Sequence, residues 1–167
     1  MDSNELKSLQ RPIKQRYRED STSAIVTLEA SGAIDDQNVT CSVATGRAIV
    51  EAGLHPASGG DGSFACSGDM LLQALVACAG VTLQSVATNR GLALEGGTVR
   101  AEGDLDFRGT MGVDPDAPVG FRDIRLSFEL VGEITPEERA ELIETTERYC
   151  VVLQTLLAPP LIEVAAG

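Results

Sequence analysis

Residues 70–86 are apolar at nearly every position, with polar side chains only at Gln73, Thr82, Gln84 and Ser85. This predicts a helix of roughly four turns. A helix that is apolar on nearly every side belongs in the middle of a protein. The run is too short and too interrupted by glutamine to read as a membrane span. Its limits are marked. Ser67 and Asp69 can cap the first amides, and Asn89-Arg90-Gly91 supplies a cation followed by a glycine stop. Gly80, in its interior, predicts close packing of another backbone.

On either side the period changes from helical to alternating. Residues 23–28 (SAIVTL), 39–44 (VTCSVA) and 47–51 (RAIVE) read as a small antiparallel meander with tight polar turns. In the second strand Cys41 falls on the same face as Val39 and Val43 and is expected to fill core. Residues 53–68 hold five glycines without periodicity and read as a loop entering the helix. Such a loop can cradle an anion, but no GxxxxGK[ST] pattern supports a nucleotide. After the helix, Val99, Ala101, Gly103, Leu105 and Phe107 alternate with charged residues over 98–108, giving a strand with one solvated face. Residues 121–130 alternate again through Ile124, Leu126, Phe128 and Leu130, and the two strands are expected to pair. Thr135-Pro136-Glu137-Glu138 is a capping box with proline at the first helical position, opening a helix to about Tyr149. A further apolar stretch follows Cys150, and residues 161–164 are expected to add an edge strand. The order of strands, helix, strands and helix indicates an α+β fold rather than a parallel βαβ sheet.

At 167 residues the chain is expected to form one domain, preceded by a basic arm over residues 1–20. The net charge of −12 argues against a nucleic-acid partner, because phosphate binding needs a basic face. The cations Lys7, Arg11, Lys14, Arg16 and Arg18 run against this balance and suit an arm lying on an acidic body or a partner subunit. With no apolar leader in view, a soluble cytoplasmic protein with no membrane partner is expected, and its four cysteines are read as free thiols or a redox pair.

The candidate chemistry is narrow. His55 is the single histidine, expected at a surface or interface, and neither CxxC nor HExxH occurs, which disfavours a metal site. The lack of GxSxG disfavours a serine hydrolase. Thiol chemistry remains, with Cys78 and Cys150 each in an apolar element. Inert packing is the competing reading for any one of these cysteines.

Three segments resemble the osmotically inducible protein C family, including its organic hydroperoxide resistance branch. They are DMLLQALVACAG, in which the acid precedes the cysteine by nine residues, the pair EGGTVRAEGDLDFRG and APVGFRDIRLSFEL, and ERYCVVLQTL. The resemblance spans roughly residues 22–164. It implies an intertwined homodimer in which antiparallel sheets wrap a long buried central helix, with both cysteines near the subunit interface. It implies reduction of organic hydroperoxides, with Cys78 attacking, Cys150 resolving, no cofactor, and a dithiol reductant of small-molecule or lipoyl-protein type. An arginine is expected beside Cys78 to hold its thiolate, since apolar surroundings alone raise a thiol pKa. Arg18 is preferred for that place, with Arg47, Arg16 and Arg148 as competitors. Asp69 stands where the peroxidase branch carries a glutamate that holds the arginine, and Val151 stands where the family has proline. The alternative reading is a non-catalytic protein of the same fold that binds an apolar small ligand at the dimer interface.

Overall fold

A computed structural model of the chain describes residues 2–5, 7, 8, 11, 15, 19, 32–34, 40–44, 49–112 and 114–166. It divides into two compact units. One comprises residues 16–73 and 101–125, the other residues 1–15, 74–100 and 126–167. The described residues between 3 and 19 are helical.

In the first unit the meander forms as β1 (Gly32–Ile34), β2 (Thr40–Ala44) and β3 (Ile49–Gly53), antiparallel, with Ile34 opposite Cys41 and Cys41 opposite Ala52. The strand expected at 23–28, and the direction of the Cys41 side chain, lie outside the described residues. The segment read as a plain loop carries more structure than its sequence suggested. Pro56–Ser58 form a 3₁₀ turn, and β4 (Ala65–Cys66) pairs in parallel with β3, Gly53 opposite Cys66. Two residues joined through backbone groups leave no side-chain alternation to read.

The apolar run becomes α1 (Ser67–Arg90). It ends in a Schellman motif: Gly91, at φ 69°, donates to the Thr88 carbonyl at 3.1 Å and Leu92 to the Ala87 carbonyl at 3.0 Å. The expectation of burial on every side is not met within one copy of the chain. The fully buried residues Leu75, Ala79, Leu83 and Ala87 recur every four positions and so form one stripe. Elsewhere on α1, Val81 is 72% exposed and Leu71 38%. By length and composition alone α1 is also long and apolar enough to cross a membrane, with a mean hydropathy of 1.7. Among the described residues of one copy, a methyl group on Gly80 would touch only the Val99 side chain, at 3.9 Å, and no backbone.

β5 (Leu94–Leu105) and β6 (Phe121–Gly132) pair as a two-stranded sheet. Val99, Ala101, Gly103 and Leu105 on one strand, and Ile124, Leu126, Phe128 and Leu130 on the other, are half-buried, while the alternate positions are exposed. β5 stops short of the expected Arg108. Asp106 accepts from the Arg108 amide at 3.1 Å and caps a short helical turn, α2 (Phe107–Thr110). A local aspartate cap competes successfully with continued strand pairing. Its carboxylate also binds the Arg108 guanidinium at 2.7 Å, and these bonds from Arg108 lower its pKa to about 2.

α3 (Pro136–Tyr149) starts at the predicted capping box. The Glu138 amide donates to Thr135 Oγ1 at 3.1 Å, and the Thr135 amide to the Glu138 carboxylate at 2.8 Å. Leu142 of α3 joins Leu83 and Ala87 of α1 in a core flanked by Val86, Leu92, Leu94, Phe128 and Leu130. α4 (Val151–Leu157) follows directly. The edge strand expected at 161–164 is absent: residues 158–166 carry no helix or strand, and Leu161, Ile162 and Val164 are exposed. Pro159 and Pro160 stop α4, and an apolar run that pairs with no strand edge forms no strand.

Candidate active site

Cys78 and Cys150, 72 positions apart in the chain, meet in the second unit, where the Cys150 thiol is among the groups that lower the Cys78 pKa. Cys78 lies near the middle of α1 and is half-buried. Cys150 sits between α3 and α4 and is fully buried. The chain bends there because Cys150 is extended, at φ −73° and ψ 107°, while its amide still closes α3 on the Thr146 carbonyl at 2.9 Å. Its own carbonyl accepts the first hydrogen bond of α4, from the Gln154 amide at 2.9 Å. One residue thus ends one helix and begins the next, and that break turns the first amides of α4 toward Cys78.

The two thiols are not equivalent. Burial works to raise the Cys78 pKa, but hydrogen bonds from the Val152 amide, the Cys150 thiol, the Val151 amide and the Thr82 hydroxyl outweigh it, and the net shift is downward. Burial also raises the Cys150 pKa. The Leu153 and Val152 amides oppose this without forming a capping bond, while the hydrogen bond to Cys78 and the charge there add to the rise. Cys78 is therefore the sulfur that ionises first, and Cys150 keeps its proton and donates it. All three cysteines with described side chains, Cys66, Cys78 and Cys150, are free.

The described groups that stabilise the Cys78 thiolate are neutral: two backbone amides, a thiol and a hydroxyl. Arg18, Arg16 and Arg47, expected as candidates for the cationic partner, lie outside the described residues. Arg148 lies over the Tyr149 ring, 5.5 Å from its centroid. Asp69 occupies the first turn of α1, nine residues before Cys78, or about 13.5 Å along the helix axis. There it lines a cavity with Cys66 and His55. An anion bound at this helix start would meet the Asp69 carboxylate, which disfavours the phosphate-cradle reading of the preceding loop. His55 is half-buried, its ring stacked on Phe107 with centroids 5.0 Å apart. Among the described residues no cluster of His, Cys, Asp and Glu can hold a metal ion.

Sequence reasoning missed Thr82 and the Val151 and Val152 amides. Thr82 was within reach, since it follows Cys78 by four positions and so shares its helix face. The amides were not, because any residue other than proline supplies one.

The family model for OsmC-like protein matches residues 60–165. No curated protein sequence matches the chain. Among solved structures, an OsmC-like protein from Mycoplasma pneumoniae superposes with a TM-score of 0.66 at 16% identity, covering 80% of this chain and 89% of that one. An organic hydroperoxide resistance protein from Elizabethkingia anophelis gives 0.65 at 18% identity, over 81% and 91%. A Legionella pneumophila protein described as an organic hydroperoxide resistance protein OsmC gives 0.62 at 17% identity, over 80% and 91%. At these identities the likeness is one of fold. Because the family model covers more than half of the sequence, the chain belongs to the OsmC-like family.

Proposed function

We propose that this protein is a homodimeric, cytoplasmic thiol peroxidase that reduces organic hydroperoxides. The observation that carries the reading is the meeting of Cys78 and Cys150 with opposed pKa shifts. Kinship with proteins described as organic hydroperoxide resistance proteins supports the substrate class. The Cys78 thiolate attacks one oxygen of ROOH, the O–O bond breaks, and the alkoxide leaves as ROH after taking up a proton. Cys78 becomes a sulfenic acid. The Cys150 thiol then displaces water from it to form a disulfide. A dithiol, either small or lipoyl-bound, reopens that disulfide by exchange and leaves as its own disulfide. A guanidinium from Arg18 or Arg47 adds to the stabilisation of the thiolate. In the dimer, a second copy covers the exposed apolar positions of α1, such as Val81.

Cys150→Ser tests the assignment of roles. The variant is expected to complete one reduction of cumene hydroperoxide and then hold Cys78 as sulfenic acid, which dimedone labels and mass spectrometry locates. A variant that turns over like wild type with dithiol reductant, and takes up no dimedone, rules out the resolving role.

Val151→Pro tests the neutral stabilisation of the thiolate. Val151 is the first residue of α4, where proline is tolerated, and Cys150 before it already has the extended backbone that proline requires. The substitution removes one amide donor from the Cys78 sulfur and leaves the helix intact. The Cys78 pKa is expected to rise, read as a shift of the alkylation-rate profile to higher pH. An unmoved profile shows that this amide contributes nothing.

A further inference from the structure

The cavity that Asp69 lines with Cys66 and His55, of about 310 Å³, is also lined by Leu72, Phe107 and Phe121 and lies wholly within the first unit. Its walls are set by close packing. A methyl group on Gly103 would lie 2.6 Å from the Phe121 ring, and one on Gly68 would lie 3.3 Å from it, so two glycines seat that ring between β5 and the start of α1. The stacked pair of His55 and Phe107, with ring centroids 5.0 Å apart, also lines the cavity.

The arrangement speaks against covalent chemistry at Cys66. His55 Nδ1 accepts the Ala57 amide at 3.0 Å, so the neutral ring carries its proton on Nε2 and has no free basic nitrogen to take one from the thiol. The charge pattern points to a reversible ligand instead. Two carboxylates line the cavity, and none of its described lining residues is Lys or Arg. Asp104 is held by the Arg125 guanidinium, at 2.6 and 2.9 Å. Asp69, an exposed residue in the first turn of α1, is the other carboxylate of the lining. Phenyl rings lining a cavity with a carboxylate suit a cation carried on an apolar body. The volume is at the lower end of the range for small-molecule sites.

We infer that this cavity binds a small organic cation, a primary amine on an aryl or short alkyl body, held at Asp69 with its apolar part between Phe107 and Phe121. The site involves neither Cys78 nor Cys150 and stands or falls apart from the peroxidase reading.

The test uses the intact protein and the rate at which N-ethylmaleimide alkylates Cys66, followed by peptide mass spectrometry. Phenethylamine is expected to slow the reaction about threefold at twice its Kd. Phenethyl alcohol and hydrocinnamate, of similar size, are expected to leave it unchanged. Asp69→Asn is expected to abolish the protection by amine. Equal protection by all three compounds, or no protection by the amine at millimolar concentration, overturns the proposal without recourse to any variant. Undiminished amine protection in a folded Asp69→Asn protein also overturns it.

Discussion

Cys78→Ser is expected to lose organic hydroperoxide reduction by on the order of 10³-fold or more, because it removes the group that forms the covalent intermediate. The protein should stay folded, since serine is close to cysteine in size and Cys78 is only half-buried. A hydroxyl at this position cannot reproduce the chemistry. The amides of Val151 and Val152 and the Thr82 hydroxyl lower the pKa of a thiol, but a serine starts far too high for the same bonds to ionise it. The pH dependence follows with the same sign. As the Cys78 pKa lies below the ordinary 9.0, turnover should rise with pH through a midpoint below that value and then level off. Consumption of cumene hydroperoxide with a dithiol reductant checks both. Unchanged turnover in Cys78→Ser eliminates the peroxidase, and a wild-type midpoint at or above 9.0 removes the proposed activation.

Leu142→Ala is expected to destabilise the protein by about 3 kcal/mol, within the usual range for deleting a fully buried leucine side chain. Leu142 has no exposed surface and joins α3 to Leu83 and Ala87 of α1, with Phe128 and Leu130 of β6 alongside. Its neighbours are held by helix and strand hydrogen bonds and can close only part of the cavity left behind. Against a typical total of 5–15 kcal/mol, such a loss is readily measured as a lowered midpoint of urea unfolding. A cost below about 1 kcal/mol would show that this contact is not a principal tie between the elements. α3 also ends at Cys150, so the variant should disturb the thiol pair as well as the fold.

Much of the framework was legible where local rules act alone. The capping box at Thr135 and Glu138 needs only four consecutive residues, and it forms as written. Gly91 ends α1 because a left-handed residue is needed there and glycine takes that conformation at least cost. The alternation in β5 and β6 likewise survives, since strand geometry sends successive side chains to opposite faces. The errors fall where a pattern had rivals. Residues 106–108 fit a period of two, yet the Asp106 side chain turned them into a capped helical turn. Residues 161–164 carried strand-forming residues, but strand propensity has no effect without an edge to pair with.

The sequence by itself determined the long apolar helix, the two alternating strands, the capped helix after them and the placement of a cysteine in each of two apolar elements. These follow from the order of side chains and the fixed geometry of helix and strand. Only the tertiary structure decided that Cys78 and Cys150 touch, that backbone amides at the start of α4 face the first sulfur, and that α1 buries a single stripe in one copy of the chain. The physical reason is that an amide is present at almost every residue and carries no sequence signature. Its direction, like the meeting of two distant thiols, exists only once the helices have packed.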